Sequence, residues 1–185
     1  MNKQKLKYLI QQVPELIETA EKCQEVGLPN FYIAGGAITQ IIWNSIDRKP
    51  LLAQVKDFDV VYFDRSNLVT EDEFKNRIGS RLSHSVDVDV KNQALIHERY
   101  SEKFGCSIQA YERVEQGIES WLSAFAIGFT IGSAGNIKLF TPYGLDDAFN
   151  MLIKPNRKAM TETNYNKMTD GYKARWQKVQ VLPWS

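Results

Sequence analysis

Cysteine is scarce: the 185 residues include two, Cys23 and Cys106, far apart in the chain. No Cys-x-x-Cys occurs and no Cys/His cluster has zinc spacing, so neither a disulfide framework nor a structural zinc site is expected. An excess of one charge is lacking too. Lys and Arg total 23, Asp and Glu total 22, and the net charge is +1. That balance excludes a strongly basic nucleic-acid coat and an acidic disordered tail, while leaving room for a local basic groove. No stretch approaches the ~20 apolar residues of a membrane span. The opening MNKQKLKYLIQQ carries no uninterrupted apolar signal core. These absences predict a reduced, soluble, cytoplasmic protein that does not engage a membrane. What is present is ordinary for a globular chain, with 43% apolar and 24% charged residues. A chain of this length buries roughly 70% of its unfolded surface and can hold a core without covalent staples. One domain over residues 1–185 is expected.

Leu6, Leu9, Ile10 and Val13 recur at helical spacing, and Pro14 fits a first helical position, so residues 3–26 read as two short helices or one kinked helix. Phe31 to Ala34 reads as a strand, followed by Gly35-Gly36 and the helical segment Ala37 to Trp43. Residues 58–63 form a β-branched and aromatic strand. Thr70 with Glu73 fits a capping box opening a helix to about residue 82. Residues 85–90 alternate with period two, placing Val86, Val88 and Val90 on one face and Asp87 and Asp89 on the other. Helices are expected over 91–104, stopping at Gly105, and over 112–122. Strands near 124–131 and 136–141 follow, joined by Gly132 to Gly135, and a short helix runs from Gly144 to about Ile153. From Lys154 to Lys178 seven basic residues face two acidic ones, which makes residues 154–185 a basic C-terminal segment. The mixture predicts an α/β or α+β fold, a small mixed sheet flanked by helices.

Three features fit one chemistry. In Asp57-x-Asp59 on a strand, both carboxylates point to the same face, where their repulsion favours a cation between them. Mg²⁺ is usually held by one or two carboxylates with phosphate oxygens and water. Asp89 on a later strand is a third carboxylate, and a third carboxylate allows a second ion for in-line phosphoryl displacement. Gly35-Gly36 between strand and helix lets backbone approach a phosphate, with helix N–H groups to bind it. Each feature has an ordinary counterpart: a tight turn for the glycines, an exposed polar strand face for the carboxylates.

With these residues identified, the sequence resembles the nucleotidyltransferase superfamily that includes DNA polymerase β and the CCA-adding enzymes. The stretch 32–38, YIAGGAI, is similar to the Gly-Gly opening of the CCA-adding and poly(A) polymerase branch, and 56–60, KDFDV, to its metal-binding strand. A closer resemblance, from about Leu28 to Trp184, is to small bacterial nucleotidyltransferase-like proteins. It rests on AGGAI at 34–38, DFDVVYFD at 57–64, DVKNQALIH at 89–97, AI at 126–127, PYGLDD at 142–147 and KPN at 154–156. The resemblance implies a polymerase-β-like core, Mg²⁺ dependence with two ions, and transfer of a nucleoside monophosphate from a nucleoside triphosphate to an acceptor hydroxyl, releasing pyrophosphate. It gives Gly35 and Gly36 the phosphate-loop role, Asp57 and Asp59 the metal-ligand roles, and Asp89 the third carboxylate, with Asp87 the alternative. Two departures bear on the phosphate loop. About twenty residues separate Gly-Gly from Asp-x-Asp, where the superfamily usually has fewer, and Ala37 and Thr39 stand where Ser and Arg are common in related sequences.

Other residues keep two readings. Lys91 and Asn92 would contact the nucleotide, or Asn92 would cap the following helix. His97 reads as a satisfied helix-face residue. Asp146 and Asp147 would approach the site, or complement a helix dipole. Trp43, Trp121, Phe125 and Phe129 read as core. Tyr165, Tyr172 and Trp176 interleave with the basic segment and would allow stacking on a base. The short chain favours a small molecule or a protein over long RNA as acceptor. A non-catalytic nucleotide-binding or regulatory protein of the same fold is the alternative.

Overall fold

Pro14 divides the first helical stretch. It cannot donate to the preceding turn but suits the start of a new helix, and the computed structural model has α1 over Asn2–Gln11 and α2 over Pro14–Glu25. The structure describes residues 1–98, 100, 107–132, 134–157 and 160–184. Leu6, Leu9 and Ile10 from α1 and Leu16, Ala20 and Cys23 from α2 are buried, as their spacing requires. Strand β1, Tyr32–Ala34, passes through Gly35 into α3, Gly36–Ile46. Strand β2 is Asp57–Tyr62. Thr70 caps α4, Glu71–Gly79, by accepting the Glu73 backbone N–H at 3.2 Å, and Gly79 ends the helix three residues before the expected boundary. Strand β3 is Asp87–Asn92.

Further along lie α5, Val114–Glu119, the hairpin β4, Gly128–Ile131, with β5, Ile137–Phe140, and the single turn α6, Asp146–Phe149. The chain closes with β6, Leu152–Ile153, α7, Glu162–Arg175, and β7, Gln180–Val181.

Five strands form a sheet in the order β3-β2-β1-β4-β5, with β2 and β3 parallel and the other pairs antiparallel. The fold is therefore a small mixed sheet with helices packed on it, as expected. Period-two alternation sorts the sheet's side chains. Ile33, Phe58, Val60, Val88, Val90 and Phe129 join the main core with α1, α2 and α3. Ala34 and Val61 face the other way, into a second small cluster with Val114 and Ile118 of α5. On strands β2 and β3 the acidic residues share that second face.

Two expected elements are corrected. A helix over 91–104 was predicted, but Lys91 and Asn92 extend β3, pairing with Val61 and Tyr62, and within the described part residues 96–98 and Tyr100 are helical. Parallel pairing to β2 satisfies backbone groups that a helix start would leave open. Arg99, residues 101–106 with Gly105 and Cys106, Ser133 and Lys158 lie outside the described residues. The helix expected from Gly144 to Ile153 is the single turn α6, because Met151 takes φ 53° and Leu152–Ile153 pairs with β7.

The basic C-terminal segment is woven into the core. Trp43 and Trp176 are fully buried, with ring centroids 5.5 Å apart. The Trp176 indole N–H donates to Asn44 Oδ1 at 2.9 Å, and that of Trp43 donates to the Ala148 carbonyl at 2.9 Å. Among the described residues, no helix is long and apolar enough to cross a membrane.

Candidate active site

The sheet register assembles the predicted residues. Ala34 of β1 lies opposite Asp59 of β2, and Asp59 lies opposite Asp89 of β3. Three adjacent strands thus carry a row across the sheet that ends, one residue past Ala34, at Gly35. Asp57 and Asp87 form the parallel rung below. The residues between Gly36 and Asp57 are taken up by α3 and the loop that returns to β2. The long sequence separation therefore leaves the glycines beside the carboxylates.

Gly35 has φ 78°, a conformation that glycine adopts without the strain imposed by a Cβ. A Cβ there would stand 2.9 Å from Trp121 Cζ3 and 3.5 Å from Asp59 Oδ2. So the bare backbone at Gly35 accommodates an indole edge and faces a carboxylate. Gly36 opens α3, whose first-turn N–H groups have no intrahelical partners and attract anions. A Cβ on Gly36 would lie 3.4 Å from the Tyr172 hydroxyl of α7.

These residues line a cavity of about 590 Å³. Gly35, Gly36, Asp59, Asp89 and Lys91 form its polar end. Its remaining wall is largely aromatic and thioether, including Tyr111, Trp121, Phe125, Met160, Met168 and Tyr172. Tyr172 packs on Phe125 at 4.7 Å between centroids, and the Arg175 guanidinium lies 4.8 Å from its ring centroid. Burial raises the Tyr172 phenol pKa, and Arg175 partly opposes the shift while the charges of Asp59 and Asp57 add to it. Burial likewise raises that of Tyr111, against a hydrogen bond with Ser120.

Lys91 Nζ lies 2.8 Å from Asp89 Oδ1, both side chains being about one-third exposed. A cationic group therefore already accompanies the third carboxylate. No group of three or more His, Cys, Asp or Glu residues among those described is close enough to form a ready-made metal cluster. The donor set still fits a hard cation, because two neighbouring carboxylates suffice where phosphate and water complete the shell.

The structure does not bring every candidate to the cavity. Asn92 is fully buried; its amide donates to the Asp64 carbonyl at 2.7 Å and accepts from the Asp64 and Ala94 N–H groups at 3.0 and 3.1 Å. A nucleotide contact was expected at Asn92; the structure places its side chain outside the cavity lining, fastening the Asp64 loop, with the amide oxygen taken up by two N–H groups. Asp57 and Asp87 are exposed on the sheet face below the cavity. His97 is only partly buried overall, yet its Nδ1 has no hydrogen-bond partner among the described residues. Asp147 accepts from Ser123 Oγ at 2.6 Å and pairs with Lys154 at 2.7 Å, and Asp146 accepts from Asn2 at 2.9 Å, so both serve the scaffold. Tyr165 and Trp176 are buried, and of the three interleaved aromatics Tyr172 alone reaches the cavity. Trp121 was expected in the core; it packs against the second cluster but is only partly buried, and it lines the cavity wall. An apolar residue beside Leu122 and Phe125 gives no sequence signal of that difference.

A family model described as nucleotidyltransferase matches residues 21–181. Among solved structures, the fold is similar to an NMR structure described as revealing a CCA-adding enzyme head domain. That similarity has a TM-score of 0.77 at 18% identity and covers 97% of this chain and 95% of that one. No curated protein matches.

Proposed function

The chain belongs to the nucleotidyltransferase family, and from that premise we propose that it transfers a nucleoside monophosphate from a nucleoside triphosphate to an acceptor hydroxyl at the Gly35–Asp59–Asp89 row. The observation that carries this reading is the register that sets Asp59 between Ala34 and Asp89. It gathers an anion-attracting helix start and paired carboxylates at one end of one cavity. The acceptor oxygen would form a bond to the α-phosphorus while the bond to the bridging oxygen breaks and pyrophosphate leaves. Asp89 would take the hydroxyl proton on a carboxylate oxygen. Gly35, Gly36 and the α3 N-terminus would bind phosphate oxygens, and Lys91 would add a positive charge beside them.

Asp57, Asp59 and Asp89 would hold two Mg²⁺ ions. Bound there, the ions would offset the charge of the triphosphate and stabilise the attacking and leaving oxygens. The paired carboxylates on neighbouring strands support that assignment. The acceptor is proposed to be a small molecule or a protein. Several cations of the C-terminal segment are engaged elsewhere: Lys154 with Asp147, Lys178 with Asp47, and Arg157 with the Trp184 carbonyl. Among the described lining residues Lys91 is the one basic side chain, too little charge for a phosphate backbone. The same proposal treats residues 1–185 as one working domain, a reading supported by a core cluster that runs from Leu6 to Val179. It places that domain in the cytoplasm, on the scarcity of cysteine.

Calorimetric titration with each nucleoside triphosphate, with and without Mg²⁺, tests the reading. Metal-dependent binding is expected in the parent chain, with at least a hundredfold loss, roughly 3 kcal/mol, in Asp57→Ala/Asp59→Ala. Unchanged binding and turnover in that variant would sink the site assignment. Tight binding without pyrophosphate release over a broad acceptor panel would favour the non-catalytic alternative.

A further inference from the structure

The PYGLDD stretch at 142–147 and the KPN stretch at 154–156 stand outside the proposed chemistry, yet both converge on residues 119–123. The Tyr143 hydroxyl donates to the Glu119 carbonyl at 2.6 Å. The Asn156 amide donates to the carbonyls of Ser120 at 2.9 Å and Trp121 at 3.1 Å. Asp147 accepts from Ser123 Oγ at 2.6 Å. The Trp121 backbone N–H also donates to the carbonyl of Ile118 in α5 at 3.2 Å. Past Glu119, the last residue of α5, the segment lacks regular secondary structure, so these bonds supply the constraint that a helix or strand would otherwise give.

What they hold is Trp121. Its six-membered ring edge abuts Gly35, close enough that a Cβ there would meet Cζ3 at 2.9 Å. The side chain is partly buried and lines the cavity wall, as do Asp59 and Asp89 of the carboxylate row. Tyr172 is less suited to receive a ring, since Phe125 packs on it and Arg175 lies over it. Held rigid, an indole is a low-entropy surface for a flat aromatic group, and its π-face accepts any base. We propose that Trp121 is the platform on which the nucleobase of the nucleoside triphosphate stacks, and that Tyr143, Asp147 and Asn156 are positioning residues for it. This rests on the reading of the Gly35–Asp59–Asp89 row as the triphosphate site, and adds to it where the base lies.

The test compares ATP and GTP with inorganic tripolyphosphate, each with Mg²⁺, by calorimetry and tryptophan fluorescence on the full chain. Trp43 and Trp176 are fully buried, which limits their response. The nucleotides are expected to quench fluorescence and to bind about tenfold or more tighter than tripolyphosphate. Trp121→Leu is expected to abolish that preference while leaving tripolyphosphate affinity intact, and Trp121→Phe to keep most of it. Asn156→Ala is expected to shrink the preference without changing tripolyphosphate binding, which a general loss of fold would not do. Equal affinity for nucleotides and tripolyphosphate in the parent chain, or an undiminished preference in Trp121→Leu, would overturn the platform. If tripolyphosphate failed to bind while nucleotide binding still required Trp121, the phosphate reading would fall and the platform would stand. Binding by neither ligand would overturn both.

Discussion

Gly35 joins two demands at one residue: a backbone with φ 78° and an indole edge where a Cβ would be. Gly35→Ala is expected to cost about 1–3 kcal/mol from the backbone strain, with the crowding against Trp121 added to it. Thermal unfolding would read that loss, and a Mg²⁺-triphosphate titration should show weakened binding, since Trp121 and the α3 N-terminus must shift. Tyr62 makes a different demand. Burial, with the Glu71 and Asp64 charges adding to it, pushes its phenol pKa up to about 12. Its hydroxyl has no hydrogen-bond partner among the described residues. A raised folded-state pKa means that the unfolded chain gives up its proton first, near the ordinary value of about 10. The stability Tyr62 contributes is therefore whole below pH ~10 and is lost as the pH climbs towards 12. Denaturant midpoints measured between pH 8 and 12 should fall above 10 and fall less steeply in Tyr62→Phe; an equal slope would refute this account.

Among the elements, α4 is the right test of local sequence rules, because it links the parallel strands β2 and β3 that carry the carboxylates. Thr70 accepts the Glu73 N–H, and Glu71, Asp72 and Glu73 place three acidic residues in the first turn, where the helix dipole favours them. Glu71 also accepts the Asn92 backbone N–H at 2.8 Å, fastening the helix start to the end of β3. Thr70→Ala should destabilise the protein by about 1 kcal/mol, a fall of roughly 2–4 °C in melting temperature, with triphosphate binding unchanged. A drop in binding without a drop in stability would mean that α4 reaches the site by a route the present contacts do not include.

Over the whole molecule, the C-terminal helix reaches back to the N-terminal half of the site. Trp176 holds Asn44, whose amide donates to the Leu51 and Ala53 carbonyls at 2.9 and 2.8 Å. That chain of bonds fixes the loop leading into Asp57. Trp176→Ala should cost about 3–5 kcal/mol through lost burial and cavity formation. That is a large part of the stability of a typical domain. Differential scanning calorimetry should show the loss as one cooperative transition if the terminal segment folds with the rest; a separate early transition would argue for an independent appendage.

Much of this arrangement was determined by local sequence. Pro14 divided the first two helices, Thr70 capped the fourth, and alternation over 86–90 put Val88 and Val90 inside and Asp89 outside. Those features are readable because periodicity and capping act over a few residues. The pairing of Asp59 with Asp89 was decided by the parallel register of strands separated by a helix. The end of β3 depended on that same pairing, which is why Asn92 became a buried fastener. Trp121 and Phe125 look alike along the chain and both line the cavity, yet tertiary packing buries Phe125 and leaves Trp121 partly open. Sequence spacing specifies which face a side chain takes on its own element. Which other element covers that face, or leaves it open to a ligand, follows from long-range packing that no local pattern encodes.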